Sequence, residues 1–247
     1  MKKILLTLLL VLHLAADDKT TPLLIGAGPY FQSQPYKDAD MKIVPSPVVF
    51  FDNHIFYVRW TRVGLYLAGD AQKDYSWGVS LTAQPRPFGY RSGDSPYLKG
   101  MNRDSSFEAG LAFDAEYKNT FFNMLFFQDI LNKSDSYIAR LELGEHINID
   151  KFDLYPSIMA IYHADRFNNY YYGVKPDEAT SFRAAYDAKA GIDFSFQTYL
   201  KYTFSKHYSA LLNFRADYLC GEEQNSPIVG DKYMFSGLIS LLYRLDL

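Results

Sequence analysis

The chain has 247 residues, of which 28 are acidic, 25 are basic and 17% are aromatic. The slightly acidic balance disfavours nucleic acid as a partner, because nucleic-acid binding needs a basic surface, and a single cysteine, Cys220, excludes an internal disulfide framework. The 21 Tyr and 19 Phe residues exceed what a soluble core normally needs, and the aromatic girdles of a membrane barrel would account for them.

The N-terminus predicts an exported protein. Two lysines precede an apolar run at residues 4–12, and two alanines after it offer a small-residue cleavage site. Residues 1–16 therefore indicate a signal peptide, followed by one mature domain at 17–247. The apolar run is shorter than the about 20 residues of a membrane helix, and no later segment supplies that length. Two classes remain, a soluble periplasmic protein and an outer-membrane barrel.

The rest of the chain alternates between apolar and polar residues with period two, which predicts β-strands. The three runs after residue 190 are much longer than the roughly 5 to 6 residues that are usual in soluble domains. About twelve strands are expected, with ten as the alternative count. Their ranges are 23–31, 43–51, 55–60, 63–70, 74–82, 106–117, 120–128, 136–145, 153–163, 192–204, 208–218 and 233–247.

The connections between these strands differ in length at the two ends of the predicted sheet. Short turns are expected at one end, at residues 52–53, 71–73, 118–119, 146–152 and 205–207. Longer loops are expected at the other end, at residues 32–42, 84–105, 129–135, 164–189 and 220–230. A bacterial barrel has short periplasmic turns and longer external loops. One exception, the short turn at Thr61 and Arg62, means that two strands stop low or form one bent strand.

These features predict an all-β fold, a transmembrane antiparallel up-and-down β-barrel in the outer membrane. The alternative is a secreted sandwich or lipocalin-like barrel, whose apolar face would point into a core. In a membrane barrel the charged positions face the lumen, where mixed signs can pair and fill it or, alternatively, line a narrow pore. These positions are Arg59, Asp74, Glu108, Asp114, Glu116, Arg140, Glu142, Asp193, Lys201, Arg215 and Asp217.

Catalysis is not expected. His163 is the only mature histidine near the outer rim, and although Asp165 and Arg166 follow it, no serine motif accompanies it. The other three, His54, His146 and His207, fall at periplasmic turns. No spacing of His, Cys and carboxylates indicates a metal site, and no Gly-rich phosphate loop follows a strand. We therefore expect no catalytic, cofactor-binding or metal-binding residue, with an outer-membrane lipid hydrolase as the third-ranked alternative.

A tyrosine cluster at residues 168–174 is the best surface candidate for recognition, although an interface girdle or packing of the loop over the barrel mouth is the preferred interpretation. In several short segments the chain resembles the MipA/OmpV family of outer-membrane proteins, and the first of these segments lies in the tyrosine cluster. The segments are Tyr171-Tyr172-Gly173-Val174, Ala190-Gly191, Ser226-Pro227-Ile228-Val229, Leu242-Tyr243-Arg244-Leu245, Pro45-Ser46-Pro47, and Leu98-Lys99-Gly100-Met101-Asn102-Arg103 before Gly110-Leu111.

The resemblance implies an outer-membrane β-barrel of a Gram-negative bacterium, in contact with lipid. It also implies a scaffold role, in which the barrel brings a murein-degrading lytic transglycosylase together with a bifunctional penicillin-binding protein. Both partners would act in the periplasm. They would have to bind the short turns, of which the segment after His146 is the longest.

Overall fold

The computed structural model describes residues 21–247, so the predicted signal peptide at 1–16 lies outside the described residues. Within the described residues, thirteen strands and two helices follow one another. The strands are β1 Pro22–Gln32, β2 Lys42–Asp52, β3 Phe56–Arg59, β4 Arg62–Ala71, β5 Tyr75–Pro85, β6 Phe107–Tyr117, β7 Thr120–Asp129, β8 Tyr137–Glu145, β9 Ile147–Ile149, β10 Phe152–His163, β11 Gly191–Thr203, β12 Tyr208–Tyr218 and β13 Tyr233–Asp246. The helices are α1 Asp165–Tyr172 and α2 Gly221–Gln224, and 3-10 turns form at Pro96–Leu98 and Pro176–Glu178.

The sheet closes on itself. Neighbouring strands pair antiparallel in chain order, and β13 pairs with β1, where Pro22 faces Asp246. Both β8 and β9 pair with β10, so β9 continues the line of β8 and the barrel has twelve strand positions. The predicted antiparallel up-and-down barrel of about twelve strands is therefore confirmed. Closure between β1 and β13 satisfies the backbone groups of those strands, as a β-structure in lipid requires, but β3 pairs only with Phe50–Asp52 of β2, so the outer part of β2 has no paired strand on that side within residues 21–247.

The predicted difference between the two ends is also present. The connections after β2, β4, β6 and β11 are short, whereas those after β1, β5, β10 and β12 are long. By the general rule that periplasmic turns are short, we assign the short-turn end to the periplasm. At the turn of Trp60 and Thr61 the two strands are separate, and only β3 is short: its four residues pair with Phe50–Asp52 of β2, and Trp60 takes a left-handed φ of 58°.

Side chains on the outer surface are apolar, and aromatic residues lie near both ends of the strands. Tyr208 and Tyr243 contact each other at the periplasmic end, with ring centroids 5.2 Å apart, and Tyr218 and Tyr233 do so at the outer end. Such rings place their hydroxyls at the lipid–water interface. Within residues 21–247, no helix is long and apolar enough to cross a membrane.

Three local expectations were wrong. The segment 146–152 is not only a turn, because β9 forms there and pairs with the start of β10. The segment 164–189 contains the helix α1, since residues that do not alternate after His163 are free to form a helix. Asp74 does not face the lumen; it lies exposed in the turn between β4 and β5.

Candidate functional site

The first part of the lumen is a charge network near the periplasmic half of β2, β3, β4 and β6. Arg59 donates to Asp114 at 3.1 Å, to Asp52 at 3.2 Å and to the hydroxyl of Tyr66 at 2.9 Å. Tyr66 in turn donates to Asp52 at 2.8 Å, and Arg62 lies 3.5 Å from Asp114. Two guanidinium groups and two carboxylates thus neutralise one another inside the barrel, which reduces the cost of their removal from water.

A second group of paired charges lies on the opposite wall. Arg215 pairs with Asp217, which also accepts a hydrogen bond from Ser195. Glu142 accepts a hydrogen bond from Ser157 at 2.7 Å and lies 3.9 Å from Arg140. Each ion pair lies within one strand, β12 or β8, and the serine hydrogen bonds join these strands to β11 and β10. The lumen carries both signs in pairs, in agreement with the charge-paired interpretation.

The predicted lumen residues are therefore largely brought together. Nine of them line one continuous cavity: Arg59, Asp114, Glu116, Arg140, Glu142, Asp193, Lys201, Arg215 and Asp217. Glu108 is buried beside Arg86, with 3.2 Å between their charged atoms. The cavity has a volume of about 1380 Å³ and extends from His146 at the periplasmic end to Tyr171 at the outer end.

The outer end of the lumen is covered by a cap, which we define as residues 86–106, 164–190 and 219–232. Buried aromatic and aliphatic side chains from all three segments form one apolar cluster, which includes Tyr90, Leu98, Tyr171, Tyr172 and Ile228. Burial raises the pKa of the Tyr172 hydroxyl well above its ordinary value. The cluster packs as a protein interior does, so the cap is an ordered layer over the barrel mouth.

The side chains of two arginines link the segments of the cap through hydrogen bonds. Arg103 forms two parallel hydrogen bonds with the carboxylate of Glu178, at 2.9 and 2.8 Å, and its Nε donates to the Tyr170 carbonyl at 2.6 Å. Arg183 is also buried and donates to the carbonyls of Tyr97 and Lys99. Paired N–H donors of this kind fix the orientation as well as the distance between two segments.

The tyrosine cluster predicted as a recognition surface belongs to this cap. Tyr171 and Tyr172 lie in α1 and are buried, and the hydroxyl of Tyr36 donates to the Tyr171 carbonyl at 3.3 Å. The hydroxyl oxygen of Tyr170 accepts a hydrogen bond from the backbone N–H of Asp104 at 2.9 Å. The preferred interpretation, packing over the barrel mouth, is the one that the structure shows.

The predicted histidines lie apart from one another. His54 and His207 are in periplasmic turns. His146 stacks on Tyr155 and lies 3.1 Å from Asp153 at the periplasmic end of the lumen. His163 alone lies at the outer end, buried beneath the cap.

The residues that follow His163 do not join it. Asp165 accepts the backbone N–H of Ala190, and Arg166 pairs with Asp135. The ring of His163 instead contacts Glu223, with 2.8 Å between Nδ1 and Oε1. Burial raises the pKa of this glutamate to about 8. Sequence reasoning missed the contact because the two residues are 60 positions apart.

Comparison with known proteins agrees with this architecture. The family described as MltA-interacting protein MipA matches residues 25–245. The putative outer membrane protein YiaT of Escherichia coli K12 is 25% identical over 241 residues, which cover 96% of each chain. The MltA-interacting protein of E. coli K12 is 26% identical over 220 residues, 87% of this chain and 86% of that protein.

Among solved structures, a FadL homologue of Pseudomonas aeruginosa covers 94% of this chain and 91% of its own, at 10% identity and a TM-score of 0.39. The family match spans nearly all of the barrel, from β1 to β13. YiaT is described as a putative outer membrane protein, and the closed barrel with its apolar outer surface fits that location. The resemblance found in the sequence is confirmed: this chain is an outer-membrane β-barrel protein that belongs to the MipA family.

Proposed function

We propose that this barrel is a non-enzymatic scaffold, whose periplasmic rim binds a lytic transglycosylase and brings it together with a penicillin-binding protein in murein turnover. Residues 1–16 would be removed as a signal peptide during export. A relative at 26% identity is named for its interaction with MltA. The observation that carries the proposal is the cap, because a lumen covered at its outer end favours a role at the periplasmic end.

The periplasmic rim offers one apolar projection. β9 continues β8 past Glu145, the last β8 residue that pairs with β7. Ile149 is four residues further along, roughly 13 Å at about 3.3 Å per residue, and 63% of its surface is exposed. Ile147 is exposed on the same strand. Exposed apolar side chains at a rim suit a protein partner, whose contact would remove them from water.

Binding to a purified lytic transglycosylase tests the proposal directly. The folded barrel in detergent is immobilised, and we expect saturable binding that Ile149→Lys weakens at least tenfold, about 1.4 kcal/mol. A minority of interface residues, clustered near the centre of the contact, cost more than about 1 kcal/mol when truncated, and Ile149 is proposed as one of them. Leu131→Lys is the matched control, because Leu131 is 53% exposed in an outer loop. Equal binding by both variants, or no binding by the wild type, contradicts the proposal.

The cavity favours a second candidate, a narrow pore for small solutes. It runs from His146 to Tyr171, and an opening of the cap would connect it with the exterior. We expect the wild-type barrel to show no steady conductance in planar bilayers, with heat-modifiable gel mobility as the folding control. Steady, charge-selective current would make transport the primary function.

A lipid hydrolase is the third-ranked candidate, and the surroundings of His163 disfavour it. Its hydrogen-bond and ion-pair partners in the described part of the chain are carboxylates, and no serine hydroxyl is among them. A nucleophile must lie within hydrogen-bond distance of its base. We therefore expect the purified barrel to lack lipase and deacylase activity, and an activity that His163→Ala abolishes would refute the non-enzymatic assignment.

A further inference from the structure

Three potential metal ligands meet at the outer end of the lumen. His163 ends β10, Asp193 lies near the start of β11, and Glu223 lies in α2 of the cap. The Nδ1 atom of His163 is 2.8 Å from Glu223 Oε1 and 3.6 Å from Asp193 Oδ2. One ligand atom from each residue lies within 4.8 Å of the other two, and all three residues are buried.

The charge of this cluster is not balanced by the neighbouring arginines. Arg86 pairs with Glu108 and Arg215 pairs with Asp217. Over residues 21–247, the only ion-pair partner of Asp193 and of Glu223 is His163, so two carboxyl groups share one imidazole. A buried carboxylate without a compensating charge is strongly unfavourable.

One oxygen of the cluster also has no partner. Glu223 has 0% of its surface exposed, and its Oε2 makes no hydrogen bond with the described residues. Buried carboxylate oxygens normally accept hydrogen bonds or bind a cation. A buried carboxylate that has one unpaired oxygen, and whose other oxygen contacts an imidazole, is therefore a ready ligand.

We propose that His163, Asp193 and Glu223 bind a divalent transition-metal ion, for which Zn²⁺ is the best match. Two tetrahedral ligands of zinc lie roughly 3.4 Å apart, since each is about 2.1 Å from the ion. The two His163 distances of 2.8 and 3.6 Å bracket that value, so small shifts would complete the site. The imidazole favours zinc over calcium or magnesium, which prefer oxygen ligands alone.

The surroundings of the three ligands fit such a site. The second oxygen of Asp193 accepts the backbone N–H of Cys220 at 2.9 Å, which turns the other oxygen towards His163. Hydrogen bonds of this kind orient metal ligands. The lumen cavity borders His163 and Asp193, so the fourth position of the ion is open to the lumen. The ion would join the cap, through Glu223, to the barrel wall.

The test measures Zn²⁺ alone, with the folded, EDTA-stripped barrel in detergent. Isothermal titration is expected to show one ion per chain, and Co²⁺ in its place is expected to give the visible bands of a tetrahedral site. Glu223→Gln keeps the shape of the side chain but removes its charge, and we expect the affinity to fall at least 10-fold. Asp193→Asn provides a second variant should the first not fold.

His146→Gln is the matched control, because His146 also contacts a carboxylate, Asp153, but at the periplasmic end. It should bind Zn²⁺ as the wild type does. Folded wild type that binds no zinc overturns the proposal and leaves the two carboxyl groups sharing a proton. Unchanged affinity in both Glu223→Gln and Asp193→Asn, or equal loss in His146→Gln, overturns it as well.

Discussion

The cap should open when its buried ion pair is broken by Arg103→Ala. Arg103 joins two cap segments, through two hydrogen bonds to Glu178 and one to the Tyr170 carbonyl. The side chains of the pair are 6% and 14% exposed. Without the guanidinium, the Glu178 carboxylate keeps one donor, the backbone N–H of Lys175 at 3.0 Å. The variant therefore leaves a nearly buried negative charge without its partner.

The size of the effect follows from this geometry. Removing one partner of a buried pair costs about 3 to 5 kcal/mol. The lower end, about 3 kcal/mol, applies here because Glu178 retains some contact with water. At about 1.4 kcal/mol for each factor of ten, the population with an open cap rises roughly 100-fold. The strands are not part of this pair, so the barrel itself should remain folded.

Hydrogen exchange measures this population directly. The amides of Val174 and Tyr186 are hydrogen-bonded across the cap, to each other's carbonyls, at 2.8 and 2.9 Å. Because these amides exchange when the cap opens, their rates should rise roughly 100-fold in Arg103→Ala. Amides of β12 and β13 serve as internal references and should not change.

Arg91→Ala is the matched control, since Arg91 forms an ion pair with Asp104 in the same cap but is 63% exposed. Exposed pairs contribute little, so exchange should rise by less than tenfold. If the two variants exchange at the same rate, or if Arg103→Ala leaves the cap as protected as in the wild type, the buried pair does not hold the cap closed.

Two more outcomes are expected. Burial alone would raise the pKa of Glu178, but its hydrogen bonds with Arg103 lower it. The stabilisation of the cap by this ion pair is therefore present above the ordinary glutamate pKa of about 4.3 and is lost as the pH falls through the lowered pKa. Acid should open the cap to pepsin in the wild type, with no such transition in Arg103→Ala. In Gly28→Ala, the added Cβ would lie 1.7 Å from the Ile239 carbonyl oxygen, across the β1–β13 closure, whereas in the control Gly93→Ala it meets nothing within 4 Å. We expect only Gly28→Ala to lose its heat-modifiable form at a lower temperature than the wild type. Equal behaviour of the two variants would show that the closure tolerates the shift.

The barrel was predictable because its signals are local. Alternation over β11, β12 and β13 sets which side chain faces lipid and which faces the lumen, and this depends only on strand geometry. The difference in loop length predicted the orientation, and short family segments gave the MipA/OmpV resemblance that the match over residues 25–245 confirms. Most charged lumen positions were placed correctly for the same reason.

Local alternation also explains the failures. Asp74 continues the pattern of β5 by one residue, but the strand begins at Tyr75, and a pattern does not say where pairing stops. The Ile147–Ile149 strand exists because β10 extends past the end of β7 and offers it a partner. Neither boundary is visible in one strand taken alone.

The amino-acid sequence by itself determined the barrel and the polarity of its lumen, since each follows from residues next to one another along a strand. Only the tertiary structure decided the cap and the cluster beneath it. Arg103 and Glu178 are 75 positions apart, and His163 and Glu223 are 60 positions apart. Contacts between such distant loops depend on how the closed barrel brings its outer ends together, and no period in the sequence encodes that arrangement.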